Sequence, residues 1–420
     1  MTNSRLLIRI ITRCWILIIF LFGSLLYVYG DLDNPVTEGT LYFLYKDILG
    51  ILVGVLIIFL ASKNSIPKES FAWLVFYLIL AIYVFIYMAV LGGEFGLNYF
   101  RVFKNSIIYI GFSVLILSYV LKVERIDYLI KIVLEALLIA FIVSVLLYWF
   151  SPIQSYTGRL FGTFGSPNSA GFAAGFAIAL ALTSKNSIGS WRARESLVVF
   201  LACMILIFSA SIGSIIGVLL FSYMMLVGKN FSILRLVMRT ISALIVIFIS
   251  GLISYSIWIQ YASTLEVELF YRLISIASQG FENDSLAIRI TDYLTTLSMS
   301  CDDNRILSLI SGCVPSDDFR RFDSVLFSII FNFGYVAALT FLLLVFYPVF
   351  YIIVNRKTKL GVCKYREIQP LIYFTLTFVP INMILQHSFD IFPTNFMYAI
   401  IFSIMHISAA RTSNRSQVSS

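Results

Sequence analysis

Charge is what this chain has least of. Only 12% of its 420 residues are Asp, Glu, Lys or Arg, where a soluble domain carries about 25%. With 60% apolar and 16% aromatic residues, the composition excludes a water-soluble globule and is that of an integral membrane protein. Histidine is nearly missing, at His387 and His406 only. The five cysteines, Cys14, Cys203, Cys301, Cys313 and Cys363, form no C-x-x-C pair. These absences leave no zinc-ligand spacing, so no metal and no cofactor is expected. No internal repeat divides the chain into similar halves, which counts against a transporter, since many transporters are built from repeated halves. No A-x-A-like site follows the first apolar run, which therefore reads as an uncleaved anchor although Arg5, Arg9 and Arg13 precede it.

What is present is a succession of apolar runs, each near the roughly 20 residues needed to cross hydrocarbon. The runs predict an all-α polytopic membrane protein with twelve spans, over 12–30, 44–62, 70–91, 105–121, 128–150, 168–184, 196–210, 212–228, 240–260, 323–353, 368–386 and 394–410. With the N-terminus on the cytoplasmic side, the inside segments hold 21 of the 30 Lys and Arg residues; the outside segments hold Lys46, Arg101, Lys104 and Arg159, plus five arginines in one long loop. That asymmetry obeys the positive-inside rule and puts both termini in the cytoplasm. The net charge of +8 is then a topology signal, and no nucleic-acid partner is expected.

The long loop, 261–322, divides the chain into spans 1–9 (1–260), the loop itself, spans 10–12 (323–410) and a tail (411–420). It holds nine acidic and five basic residues, more than a bilayer can solvate, so it lies in or beside water. Two helices are legible in it. Ser263-x-x-Glu266 is a capping-box pattern ahead of Leu265, Leu269, Leu273 and Ile276. Asp284 begins a second helix with Leu286, Ile290, Leu294 and Leu297 as its apolar stripe, while Arg289, Asp292 and Thr296 lie towards the other side. Cys301 and Cys313 fall in the same loop, on the side where disulfides are chemically allowed, and a bridge between them is expected.

Three segments carry candidate chemistry. In Thr157–Asn168, Gly158, Gly162 and Gly165 free the backbone to approach a ligand, Pro167 suits the first turn of a helix, and Arg159 stands beside the amides of that turn. Such an end is a ready site for an anion such as a diphosphate. The other reading is a glycine-rich turn whose arginine snorkels to headgroup phosphates. Arg289 is either a second clamp on the same anion or a surface arginine paired with Asp292. Asp323, in Asp317–Ser324 at the mouth of the tenth span, is either a general base or part of an interfacial cluster with Arg320 and Arg321. Glu135, inside the fifth span, is expected to pair with Lys131 one turn away. Ala170–Gly175 has small-xxx-small spacing and predicts close helix packing. His387 and Asp390 sit in a short outside turn, and His406 reads as structural.

Gly158-Arg159-x-x-Gly162-Thr163-Phe164-Gly165-x-Pro167-Asn168, Ala287-Ile288-Arg289 followed by Tyr293, and Asp323-Ser324-Val325-Leu326 resemble short segments of the O-antigen polymerases (Wzy type) and, more distantly, the O-antigen ligases. The sequence departs from that pattern twice: Asp323 stands where ligases carry a histidine, and Ser211-Ile212-Gly213 lacks the arginine of the family's Ser-Arg-Gly turn. The resemblance implies a many-span, GT-C-like glycosyltransferase with one large periplasmic loop in the bacterial inner membrane. It implies polymerisation of undecaprenyl-diphosphate-linked repeat units without a metal, with a chain-length regulator as partner. Arg159, Arg289 and Asp323 would be catalytic. Gly162, Gly165, Asn168, Arg305, Arg320 and Arg321 would bind the substrate. An O-antigen ligase acting on lipid A core, or a flippase for lipid-linked glycans, are the alternative readings.

Overall fold

The computed structural model describes residues 2–22, 40–61, 108–150, 159–189, 192–227, 324–354, 359–385 and 393–416, with single positions at 74, 75, 78, 79, 82, 290, 291, 293, 294 and 296. Among these residues there is no strand. The helices are α1 (Thr2–Phe22), α2 (Thr40–Ala61), α3 (Tyr109–Val123), α4 (Ile126–Phe150), α5 (Pro167–Ile188), α6 (Ala193–Ser209), α7 (Ile212–Val227), α8 (Val325–Val354), α9 (Lys359–Leu385) and α10 (Thr394–Ser416). Segments Ile126–Phe150, Gly334–Val354 and Arg366–Leu385 are each long and apolar enough to cross a membrane. They mark the chain as a helical membrane protein.

The helices fall on expected spans, with differences at α1, at α8, in the long loop and at α9, which starts at Lys359, before the expected edge at 368. Helix α1 starts at Thr2, well before the expected edge at 12. Its three arginines recur every fourth residue, so they share one face and find partners there instead of ending the helix. Helix α8 is broken at Gly334 (φ 81°, ψ 174°), a conformation open to glycine and strained for other residues, so its spanning part is Gly334–Val354. In the long loop, Tyr293 and Thr296 are helical as expected, but the buried side is not the leucine stripe: Thr296 is fully buried while Leu294 is 61% exposed. The expected spans over 70–91 and 240–260, the Ser263 helix and the Cys301–Cys313 pair lie outside the described residues or mostly so. Cys14 and Cys203 are free thiols.

Helix α5 is the axis of the bundle. It packs against α4, α6, α7, α9 and α10, and Ser169 to Ala181 is buried throughout. Its small residues allow this. A Cβ on Gly175 would lie 2.5 Å from Phe378 Cε2, and one on Gly217 of α7 would lie 2.6 Å from Phe378 Cδ2. One phenyl ring of α9 is thus seated between two glycines on two helices, as the small-xxx-small spacing predicts. Phe172, Phe374, Phe378 and Tyr398 continue the seam with ring centroids 4.5–6.0 Å apart. Pro370 of α9 has no N–H to give the Arg366 carbonyl one turn back; Asn186 Nδ2 of α5 donates to it at 3.1 Å. His406 is buried, as a structural residue would be.

Candidate functional site

Because α5 runs the length of the bundle, its two ends define two poles. At the first, the chain enters α5 through Gly162–Phe164, a single 3-10 turn, and Gly165, whose φ of 73° is left-handed. Gly162 (φ 51°) lies against α4, where any Cβ would collide with Ser144. Ser144 Oγ accepts from Thr163 N at 3.1 Å and donates to Ala140 O at 2.7 Å, which fixes the turn to α4. Ser166 is the N-cap of α5, accepting from Ser169 N at 3.1 Å, and Pro167 follows at the first helical position. The sequence pattern called for this start of the helix at Asn168.

Arg159 sits at the neighbouring junction between α6 and α7. Its Nε donates to Ser209 O at 2.9 Å and its Nη2 to Ala210 O at 3.4 Å. Leu160 N donates to Phe208 O at 2.9 Å, so two consecutive residues bind the last turn of α6. Terminal helix carbonyls have no partner within their helix and carry the negative end of its dipole. The guanidinium satisfies and neutralises them.

After Ala210, which is left-handed (φ 48°), the chain turns into α7 at Ser211. The first turns of α5 and α7 then meet. Ser211 Oγ lies 3.4 Å from Asn168 Oδ1, to which it donates, and 3.0 Å from Ser214 Oγ. A Cβ on Gly171 would fall 2.6 Å from Ser214 Oγ, so only glycine allows this approach. Two helix N-termini with their hydroxyls and amides, Ser166, Asn168 and Ser169 on one and Ser211 and Ser214 on the other, are brought together beside a guanidinium. The carboxylates whose side chains are described, Glu124, Asp127, Glu135, Glu195 and Glu367, belong elsewhere in the bundle. The pole is therefore an electropositive, hydroxyl-rich setting suited to an anion.

Of the expected site residues, the structure brings Arg159, Gly162, Gly165 and Asn168 together. Arg289, Arg305, Arg320, Arg321 and Asp323 lie outside the described residues, as do His387 and Asp390. Their neighbours in sequence are informative. Tyr293 Oη donates to Ile384 O at 2.7 Å and its ring stacks on Phe327 at 4.2 Å. Ser324 Oγ donates to Met383 O at 2.9 Å. Both hydroxyls cap carbonyls in the last turn of α9, so the loop helix and the start of α8 are tied to one helix end at this pole. Ser211 and Ser214 are the residues that sequence reasoning passed over, because the turn lacks an arginine. An arginine does reach this junction from a distance, Arg159 of the α4–α5 connection.

At the opposite pole Glu124, Glu135 and Glu195 are each paired with arginine. Arg5 and Arg9 of α1 both grip Glu124, in the turn between α3 and α4, with Nε to Oε1 at 2.7 and 2.8 Å and Nη2 to Oε2 at 3.2 and 2.8 Å. Glu135 does not pair with Lys131. Arg13 reaches it at 3.1 Å and Arg194 at 3.3 Å, because α1 and α6 both pack on that face of α4. Arg194 also binds Glu195 at 2.6 Å, and Ser184 Oγ donates to the same carboxylate oxygen at 3.1 Å. Burial pushes the Glu124 carboxyl up, but the hydrogen bonds from Arg9 and Arg5 outweigh it and hold the group below the usual carboxylate range. Glu195 is lowered in the same way, burial being outweighed chiefly by Arg194.

No protein-family model matches the chain, and no curated protein matches its sequence.

Proposed function

We propose that this protein is a twelve-span glycan polymerase of the bacterial inner membrane, working on undecaprenyl-diphosphate-linked repeat units at the periplasmic face. The observation that carries this reading is the convergence of two helix N-termini and Arg159 at a pole with no described carboxylate. A diphosphate leaving group needs such a setting. Negative charge grows on its bridging oxygen as the glycosidic bond breaks, and donors fixed in advance stabilise it without reorganising.

In the proposed reaction, the lipid-linked glycan lies with its diphosphate over the first turns of α5 and α7. A hydroxyl at the non-reducing end of a second lipid-linked unit attacks the anomeric carbon. The new C–O bond forms as the bond to the diphosphate breaks, the hydroxyl proton passes to Asp323, and undecaprenyl diphosphate leaves. Asn168 contacts the diphosphate, buried Ser211 holds the Asn168 side chain from beneath, and Arg159 is the positioning cation that holds α6 and α7 in place. Gly162 and Gly165 let the backbone approach. Arg289 is the cationic clamp on the diphosphate, and Arg305, Arg320 and Arg321 bind the rest of the substrate. The 21-to-4 basic asymmetry outside the long loop supports the orientation.

The test is the surface glycan of a strain lacking this protein. A polymerase reading requires a ladder collapsed to a single repeat unit on the core, restored by the wild-type chain. Intact lipid-linked polymer that never reaches the core would identify a ligase, and loss of even the single unit would identify a flippase. Arg159→Lys should already shorten the restored ladder at unchanged protein level, because lysine lacks the fork that reaches two carbonyls at once.

A further inference from the structure

We infer that the Glu124 pole carries a binding site for an anionic phospholipid, built on Arg5 and Arg9 and extended by Arg13. The inference starts from an imbalance. Two guanidinium groups share one carboxylate, each engaging it through Nε and Nη2. One positive charge is left over, and the two guanidinium groups are held side by side against their mutual repulsion.

The exposure is one-sided. The Glu124 side chain is 1% exposed, while those of Arg5 and Arg9 are 51% and 43% exposed. The carboxylate lies beneath as a template, and the two arginine side chains above it keep about half of their surface open. Tyr128 fixes the arrangement from one flank: its hydroxyl donates to Arg9 O at 3.0 Å, and the Arg9 guanidinium lies over its ring at 5.2 Å. Arg13, 59% exposed, continues the row one turn on and is held by Glu135.

Depth and surroundings select the ligand. Glu124 stands two residues before Ile126, where the spanning helix Ile126–Phe150 begins, so the pair lies at headgroup level. On α1, Leu6, Leu7 and Ile10 interleave with the arginines and are 45–59% exposed. A ligand that meets a phosphate-sized surplus of positive charge and an adjoining apolar strip must itself be an anion carrying acyl chains. A phosphate diester headgroup takes two guanidinium edges at once. A zwitterionic lipid brings its own ammonium group into the same space and is disfavoured. The site is distinct from the anion setting at the Asn168 pole and does not depend on its proposed chemistry.

The experiment is native mass spectrometry of the full-length protein released from nanodiscs of equal phosphatidylglycerol and phosphatidylcholine. The wild type should retain phosphatidylglycerol in preference to phosphatidylcholine. Each arginine is expected to contribute about fivefold, the effect typical of a basic residue at an anionic surface. The variant Arg5→Gln/Arg9→Gln/Glu124→Gln removes the charge without stranding a buried carboxylate, and it should lose the preference. Arg366→Gln, an exposed arginine on another helix, should keep it. If the triple variant does not fold, Arg13→Gln and the salt dependence of lipid retention in the wild type decide instead. Equal retention of both lipids by the wild type, an undiminished preference in the triple variant, or displacement of the lipid by millimolar inorganic phosphate would each overturn the inference.

Discussion

The two ends of α5 use the same kinds of groups in opposite ways. At the Glu124 pole, Arg5, Arg9, Arg13 and Arg194 meet Glu124, Glu135 and Glu195 side chain to side chain. At the Asn168 pole the described cation, Arg159, is turned onto backbone carbonyls, and the facing groups are hydroxyls and amides. About 24 Å of helix separates Asn168 from Ser184, at 1.5 Å per residue. The first pole answers its carboxylates from within, which ties α1 to the bundle, and one guanidinium charge is left over for a headgroup. The second has its negative helix end quenched and its positive helix ends left facing each other, so its electrostatic demand can be met from outside. Binding capacity follows from which charges are already answered, and the total charge at each end says little about it.

The most direct way to break the comparison is to place a carboxylate at the Asn168 pole. Asn168→Asp is isosteric and favourable in the first turn of a helix, so α5 should stay folded. Its negative charge would nevertheless repel a diphosphate. Polymerisation is expected to fall on the order of 10²–10³-fold, the scale of losing one preorganised donor. The ladder assay, read beside an unchanged melting temperature, checks both halves of this expectation.

The Glu124 pole should make the fold sensitive to acid. The Glu124 and Glu195 carboxyls are both held below their ordinary value of 4.5. A depressed carboxyl contributes stability that is fully present above that value and is lost as the pH falls through the folded-state pKa. Thermal melts in detergent should therefore be flat from pH 7 to pH 5 and drop below about pH 4.5. The Glu124→Gln variant should show a shallower drop, and an unchanged acid limb would remove these pairs from the stability of the fold.

Between the poles, Gly175→Ala asks how rigidly they are held together. The added Cβ meets the Phe378 ring at 2.5 Å, so overpacking should cost about 1–3 kcal/mol. Phe378→Leu in the same chain should recover part of the lost melting temperature, since it vacates that space. The smallest expected effect is that of Tyr293→Phe. It keeps the stack on Phe327 and loses the bond to Ile384 O, worth about 0.5–1.5 kcal/mol. Faster proteolysis of the loop with an unchanged melting temperature would show that the bond tethers the loop locally.

Local signals were readable in the sequence, and long-range partnerships were not. Pro167 and the packing glycines of Ala170–Gly175 announce themselves within a few residues, because helix starts and close approach are local requirements. The partners of Glu124 lie 119 and 115 positions away, and no periodicity points to them. Lys131 offered a nearby partner for Glu135, yet helix packing supplied Arg13 and Arg194 instead. The break at Gly334 was equally hidden, since an apolar run reads the same whether its backbone is continuous or not. Thr296 was misplaced because amphipathic reading assumes that leucine faces inward, a rule that weakens where lipid is the solvent.

The seating of Phe378 also has a mechanical consequence. A ring lodged between Gly175 and Gly217 acts as a key in two slots, and α9 cannot slide along α5 and α7 without lifting it out. The next slot is a helical turn away, about 5.4 Å along the axis, with larger side chains to pass on the way. The central helices are thereby geared against sliding past one another, and motion in this bundle is left to its outer helices and loops.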